Sequence, residues 1–325
     1  MHNIIKVFIS TIVLSVITLF IITGCEKDEK EVLNVGISPW PGYEPLVLGV
    51  EKGFYENVDV RIVRHATPSE SFRALRDGIV DVAAFTADEV LHYAEVRDKP
   101  KMFLVLDISN GADAIVARPD IKSIEGLKGK RVYVESSALG NYLIKRSMDF
   151  AQNINIKDVD VSTVELGKHV KDYKDGKVDA LVTYEPFLTQ LINEGAHILF
   201  DSTQIPQEIV DVVVTNNDTL EKKSELLKEL INGWYRTLEY INNNRKTAMA
   251  EMAVYEYISA DDFESSYEKL IIPSRSETIE MLETDDGSFK NAMHRLSEQM
   301  FEKGSLKMEV DIAPLLEPRL VKESR

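Results

Sequence analysis

The chain has 325 residues, of which 44% are apolar, and its formal net charge is −16. At about 100–200 residues per domain, this length predicts two domains, and the apolar content is enough for buried cores. The large acidic excess argues against nucleic acid as a partner and against electrostatic adhesion to anionic lipid. It does not fix the charge of a pocket.

The first 24 residues are typical of a secretion signal. Lys6 is their only strongly charged residue, and the almost entirely apolar run at 7–22 would form a helix of about 24 Å, short of a bilayer core of about 30 Å. The tetrapeptide at 22–25, Ile-Thr-Gly-Cys, resembles a bacterial lipobox. We therefore predict a lipoprotein signal peptide at 1–24, lipidation of Cys25 and a polar tether at 25–31. The alternative is a single-span anchor with an unmodified thiol.

From residue 32 onward, short apolar runs alternate with helical patterns, which predicts βαβ units and a mostly parallel sheet. Strands are predicted at 32–38, 58–63, 80–85 and 102–108, with helices at 45–52, 69–77 and 87–97. The pattern then restarts, with strands at 130–135, 159–165, 180–183, 197–200 and 209–215 and helices at 138–151, 167–174 and 186–193. Helical spacing of apolar residues predicts a tail with helices at 220–242, 245–258, 278–283 and 289–302. Two α/β lobes and a helical tail follow.

Several segments, in the same order along the chain, resemble the solute-binding proteins for nitrate, sulfonates, taurine and thiamine precursors. They are residues 35–45 (Val-Gly-Ile-Ser-Pro-Trp-Pro-Gly-Tyr-Glu-Pro), 51–55, 75–83, 124–132, 176–180 and 184–186. One departure is Gly126, where the family usually has Asp. The resemblance implies an α/β, two-lobed periplasmic-binding-protein type II fold with two crossover strands and a helical C-terminal tail. Lobe 1 would hold residues 32–115 and 214–325, and lobe 2 residues 116–213.

Open α/β sheets bind ligands beyond the carboxyl ends of their strands, and those ends can be located in the sequence. Hydroxyl and amide groups there can hydrogen-bond a solute, and aromatic rings can cover it. The alternative for a Ser or Thr before a helix is a plain N-cap. Asp211, near the predicted return to lobe 1, could also face the cleft. The predicted ligand-binding residues are Ser38, Trp40, Tyr43, Thr67, Thr86, Asp107, Ser109, Asn110, Ser136, Ser137, Tyr184 and Glu185.

The charge of the solute is left open by the sequence. Helix starts favour an anion, whereas the lack of Arg or Lys at the predicted cleft positions favours a neutral or zwitterionic heterocycle. Asp88, Asp107 and Glu185 could favour a cation. No histidine spacing is that of a metal site, and there is no phosphate loop or nucleophile elbow. We therefore expect no catalytic residue, no metal and no cofactor.

The predicted function is that of the extracytoplasmic solute-binding component of an ABC importer, which captures a small organic or oxyanionic solute between its lobes. Its partners would be the importer's permease and, through Cys25, a bacterial membrane; we expect an exported monomer facing the periplasm or the cell exterior. One alternative is a lipoprotein that senses a ligand for a membrane receptor. The other is an enzyme similar to thiamine-pyrimidine synthase, whose Cys-rich motif this chain lacks.

Overall fold

The structure is a computed structural model that describes residues 30–96, 99–135, 138–283 and 288–324. The predicted signal peptide, Cys25 and most of the predicted tether lie outside these residues, as do Ser136 and Ser137. Val32–Arg325 forms one compact unit. In the described part of the chain, no helix combines the length and the apolar character that a membrane span requires.

The described residues form two β-sheets. The six-stranded sheet has the order β11-β4-β10-β3-β1-β2 and the five-stranded sheet the order β7-β6-β8-β5-β9. The strands are β1 (Val32–Ile37), β2 (Asp59–Arg64), β3 (Val82–Thr86), β4 (Lys101–Ser109), β5 (Asp113–Ala117), β6 (Arg131–Val134), β7 (Asp160–Thr163), β8 (Ala180–Tyr184), β9 (His197–Asp201), β10 (Val210–Thr215) and β11 (Leu270–Ile271).

The helices between these strands and after them give the α/β fold class that the sequence predicted. They are α1 (Glu44–Glu51), α2 (Pro68–Arg76), α3 (Ala87–Val96), α4 (Ala138–Ser147), α5 (His169–Lys174), α6 (Phe187–Asn193), α7 (Asn217–Lys222), α8 (Ser224–Asn243), α9 (Arg245–Glu256), α10 (Ala260–Tyr267), α11 (Arg275–Glu283), α12 (Ser288–Glu302) and α13 (Pro318–Glu323). In α8, one of the helices predicted from the spacing of apolar residues, Trp234 is completely buried.

Both sheets are mixed, so the prediction of a mostly parallel sheet was wrong. β1 pairs in parallel with β2 and β3, and β6 with β7 and β8. In contrast, β10 is antiparallel to β3 and β4, and β5 is antiparallel to β8 and β9. The reason is that β5 and β10 enter their sheets directly from the other sheet, without the long crossover helix that a parallel connection needs.

The chain changes sheet twice, at residues 110–112 between β4 and β5 and at residues 202–209 between β9 and β10. The two crossovers that the fold implies are therefore present, while the exact lobe limits stay a prediction. Residues 113–117, which carry no clear alternation in the sequence, form β5, an inner strand of the second sheet between β8 and β9.

The central strands are buried over almost their whole length. All residues of β5 and β10 are buried, as are residues 102–109 of β4. Near-continuous apolar runs are typical of strands covered on both faces. Three carboxyl groups interrupt these runs, those of Asp107, Asp113 and Asp211. Because burying a carboxylate without a partner costs free energy, these three positions indicate a functional site.

Candidate functional site

A partly open cavity of about 380 Å³ lies where strands of both sheets end or begin. Thr86 ends β3 and Tyr184 ends β8, so the cavity lies beyond the carboxyl ends of the parallel strands. Asp113 and Asp211 reach the same edge from the amino ends of β5 and β10, because these strands run in the opposite direction. The lining residues are Ser38, Pro39, Trp40, Tyr43, Pro68, Thr86, Glu89, Asp113, Leu139, Tyr184 and Asp211.

Five of the predicted ligand-binding residues line this cavity, from the first sheet and the second. They are Ser38, Trp40, Tyr43, Thr86 and Tyr184. The structure thus brings together at one cavity side chains that were predicted from two features, their position at the end of a strand and their aromatic character. Their contact with a solute stays a prediction.

Three other predicted residues do not line the cavity. Thr67 is the N-cap of α2, where its Oγ1 accepts a hydrogen bond from the backbone N–H of Glu70 at 3.3 Å. The hydroxyl of Ser109 lies 2.8 Å from that of Ser202, and Asn110 is exposed to solvent. For Thr67, the plain capping role that the sequence left open is the one observed.

Glu185 also lies outside the cavity lining, although it is completely buried. Its carboxylate accepts hydrogen bonds from Thr189 Oγ1 at 2.9 Å and from Ser266 Oγ at 3.1 Å, and it forms an ion pair with Lys269. These partners engage both oxygens. Glu185 therefore joins the end of β8 to the C-terminal helices, and the structure gives no support for a direct contact with a solute.

Ser136 and Ser137 lie outside the described residues, so the structure does not test the prediction for them. Leu139, in the first turn of α4, does line the cavity. This part of the second lobe therefore reaches the same space as the loop that carries Trp40.

Trp40 is held against the first sheet by a buried carboxyl group. Its Nε1–H lies 3.1 Å from Asp107 Oδ2 and 3.3 Å from Oδ1. Gly42 leaves room for this arrangement, since a Cβ at that position would lie 1.9 Å from Asp107 Oδ2. The indole also packs edge-to-face on Tyr184, with ring centroids 5.8 Å apart. Asp107 therefore acts behind the cavity wall, by fixing the ring that forms it.

Asp107 and Asp211 form a close pair on neighbouring strands. They are direct cross-strand partners in the β4–β10 register, and Thr86 is the partner of Asp211 on β3. The Tyr43 hydroxyl donates a hydrogen bond to Asp211 Oδ1. Burial raises the pKa of Asp211 well above its ordinary value, and the Asp107 carboxylate raises it further. Burial also raises the pKa of Asp107, to about 7. The pair therefore retains a proton near neutral pH.

Sequence reasoning missed Glu89, Asp113 and Leu139 and named Asp211 only as a possibility. A signal for the two aspartates is present in the sequence: each is a lone acid within or beside an apolar run that forms a fully buried strand. Burial raises the pKa of Asp113 to about 7. In the described part of the chain, no group of three or more His, Cys, Asp or Glu has the arrangement of a metal site.

Comparison with known proteins places the chain in a family. The model of the NMT1-like family matches residues 26–255. No curated protein sequence matches the chain significantly.

Three similar solved structures have the same fold at low sequence identity. The alkanesulfonate-binding protein SsuA from Xanthomonas axonopodis pv. citri, bound to MOPS, is 14% identical, covers 89% of this chain and 99% of its own, and has a TM-score of 0.74. The periplasmic nitrate-binding protein NrtA from Synechocystis PCC 6803 is 14% identical, with coverages of 91% and 88% and a TM-score of 0.71. The desulfurization enzyme DSZB is 13% identical, with coverages of 91% and 99% and a TM-score of 0.70.

Identities this low show a shared fold, and the family match covers well over half of the chain. Both agree with the resemblance and the fold class that the sequence predicted, which are thereby confirmed. The chain belongs to the NMT1-like family and has the two-lobed α/β fold of periplasmic solute-binding proteins.

Proposed function

We propose that the protein is the extracytoplasmic solute-binding component of an ABC importer and captures a small organic solute in the cavity between its two lobes. The observation that carries this proposal is that residues from both sheets line the cavity. Trp40 follows a strand of the first sheet and Tyr184 ends a strand of the second. Both line the cavity, and the centroids of their rings are 5.8 Å apart. A solute there would contact both lobes and stabilise their closed arrangement by its differential affinity for it.

Two short connections supply the hinge for such closure. Residues 110–112 and 202–209 are the points at which the chain changes sheet, and hinges absorb rotation in a few residues at the ends of such elements. We place the lobe limits at these connections, so that lobe 1 would hold residues 32–109 with 210–325 and lobe 2 residues 113–201, a few residues from the limits predicted from the sequence, 32–115 with 214–325 and 116–213. The importer's permease would recognise the closed form, and the protein would act as a monomer.

We also propose export and a lipid anchor. The support is in the sequence, where Cys25 ends a lipobox-like motif after a short apolar run. One of the similar structures is that of a periplasmic nitrate-binding protein. The anchor would hold the protein on the outer side of a bacterial membrane, facing the periplasm or the cell exterior.

We propose reversible binding without turnover. The similar structures are mainly binding proteins, although DSZB shares the fold and is an enzyme, so the fold alone does not decide between them. The solute that is released from the purified protein should have the same mass as the solute that was added. Conversion of the solute, or an imine absorption band with pyridoxal phosphate, would favour an enzyme instead.

Thermal unfolding combined with small-angle scattering tests the proposal. A solute at about 100 times its dissociation constant should add about 2.7 kcal/mol to the free energy of unfolding. For a chain of this size that raises Tm by about 5 °C. The same solute should reduce the radius of gyration, because the lobes close. Trp40→Ala should abolish both effects, whereas Tyr257→Ala, which alters an aromatic ring that is 95% exposed, should leave both unchanged. Tight binding without any change in scattering would contradict capture between lobes.

A further inference from the structure

Three acidic side chains from three different elements line the cavity. Glu89 comes from α3, Asp113 from β5 and Asp211 from β10, and all three line the same space. No Lys, Arg or His occurs among the described residues of the lining. Asp107 adds a fourth carboxyl group directly behind the wall, beside Asp211. The described wall therefore offers a solute negative charge and acceptor oxygens.

Two of these carboxyl groups are buried, and each has one oxygen for which the described residues supply no hydrogen-bond donor in direct contact. Asp113 and Asp211 are each 1% exposed, and the Oδ2 atom of each finds no hydrogen-bond partner among the described residues. The other oxygen of Asp211 is occupied, since it accepts the Tyr43 hydroxyl. The proton that Asp107 and Asp211 share can satisfy the second oxygen of Asp211, whereas Asp113 Oδ2 is left without a donor among the described residues. Because buried acceptors almost always have a donor in folded proteins, this oxygen at the cavity wall indicates a donor that arrives with the solute.

Most of the remaining wall is apolar and aromatic, and it also carries the hydroxyl groups of Ser38 and Thr86. The apolar and aromatic side chains that line the space are those of Pro39, Trp40, Pro68, Leu139 and Tyr184. Such a wall buries hydrocarbon, and aromatic faces also attract organic cations. A bare metal ion would gain nothing from these side chains. The shape and chemistry of the wall therefore fit an organic molecule with a donor group at one end.

An oxyanion fits this wall poorly. It would need several donors or a cation, whereas the donors of the described wall are uncharged: the hydroxyl groups of Ser38, Thr86 and Tyr184 and the O–H of any protonated carboxyl group. Any carboxylate left ionised would repel it at short range in a buried site. Two of the similar proteins bind anions, an alkanesulfonate and nitrate. At 14% sequence identity, however, the similarity shows a shared fold and does not show a shared ligand.

We infer that the solute is a small organic cation whose ammonium or other positively charged N–H group is bound by Asp113 and Asp211 and whose apolar part lies against Trp40 and Tyr184. This inference rests on the proposed function, because it names the class of solute that the same cavity takes. Asp113 is the principal counter-ion, since Asp211 already shares its charge with Asp107 and Tyr43.

Matched probes separate the charge of the solute from its shape. Benzylamine, benzyl alcohol and benzoate share one ring, and pentylamine, pentanol and pentanoate share one chain; nitrate and ethanesulfonate complete the anions. Calorimetry and thermal shift with the purified protein should give at least tenfold tighter binding for the amine of a set than for its alcohol, and no binding of the anions. Tighter binding of an alcohol or an anion would overturn the inference and leave the proposed function standing. Binding of no probe at all would count against both.

Two carboxyl variants test which residues bind the positively charged group of the solute. Asp113→Asn keeps the size of the side chain and removes its charge, so amine affinity should fall about tenfold to a hundredfold, the range expected for losing a charge-assisted hydrogen bond. Alcohol affinity should change little, which also shows that the variant is folded. Asp211→Asn should weaken amine binding in the same direction. Asp311→Asn, at an exposed position, is the matched control. Unchanged amine affinity in Asp113→Asn would refute the inference.

Discussion

Replacing Asp113 with Asn should stabilise the solute-free protein near neutral pH and change its stability little in acid. The side chain is 1% exposed, and burial is the main cause that raises its pKa from 3.8 to about 7. The hydroxyl of Ser109 acts against this shift as a hydrogen-bond donor, while the neighbouring charges of Asp107, Asp88 and Glu185 add to it. The folded protein therefore prefers the protonated form of a group that ionises readily in the unfolded chain.

The sign and the size of the effect follow from proton linkage. Between about pH 4 and pH 7 the unfolded chain loses the Asp113 proton and the folded protein keeps it, so the free energy of unfolding falls as pH rises. Each pH unit is worth about 1.4 kcal/mol. Over the interval from 3.8 to about 7, the loss amounts to about 4 kcal/mol at pH 7 and above. Asn does not titrate, so the variant escapes this loss.

Urea denaturation of the wild type and of Asp113→Asn at a series of pH values from 4 to 8 measures this difference. The free energy of unfolding of the variant should exceed that of the wild type by an amount that increases steadily up to about pH 7 and is constant above it. The exposed Asp311→Asn should show no such trend. A difference that is the same at every pH, or that shrinks as pH rises, would refute the argument that a buried carboxyl group destabilises the free protein. A confirmed slope would identify a group kept for binding at a cost in stability.

Three further perturbations test other parts of the structure. Gly42→Ala places a Cβ 1.9 Å from Asp107 Oδ2 and 2.7 Å from Trp40 Nε1, so urea denaturation should show a loss of about 1–3 kcal/mol and calorimetry a loss of solute binding. Lys269→Met removes the cation that pairs with completely buried Glu185; because Lys269 is partly exposed, the free energy of unfolding should fall by about 2–3 kcal/mol, at or below the range for breaking a buried pair. Cys25→Ser should release the protein from the membrane fraction, with loss of the lipid mass from the intact protein in mass spectrometry.

Each of these perturbations has a control in the chain. A Cβ at Gly167 would meet no heavy atom within 4 Å, and the backbone there has no positive φ, so Gly167→Ala should leave binding unchanged; equal losses in both glycine variants would contradict the steric argument. Lys222 and Asp218 form an ion pair with 70% and 72% exposed side chains, and Lys222→Met should have almost no effect. A Cys25→Ser protein that stays in the membrane fraction would favour a single-span anchor instead.

The order of strands and helices could be predicted from local pattern. The strands at 32–37, 59–64 and 82–86 and the helices between them differ from the predicted bounds by only one or two residues. Apolar runs and the Gly residues that follow helices are local signals, which is why they suffice. The direction of β5 and β10 could not be predicted in this way, because it depends on which sheet the chain has just left.

The residues of the candidate site also fall into two groups, those that local sequence could indicate and those that depend on contacts between distant segments. Ser38, Trp40 and Thr86 were found because they follow strands, and a strand end is visible in the sequence. Glu185 also follows a strand but lies outside the cavity lining, where Ser266 and Lys269, more than 80 residues later, engage its carboxylate. Side chains that pair across such distances carry no local signal.

The sequence by itself determined the fold class, the family and the aromatic loop at Trp40, because periodicity and short motifs are properties of neighbouring residues. Only the tertiary structure decided that Asp107 and Asp211 lie side by side and that Asp113 joins them at one cavity. Asp107 and Asp211 lie on neighbouring strands of the first sheet, and Asp113 lies on a strand of the second. The charge of the site is therefore set by contacts between distant segments, and that is why the net charge and the local sequence could not establish it.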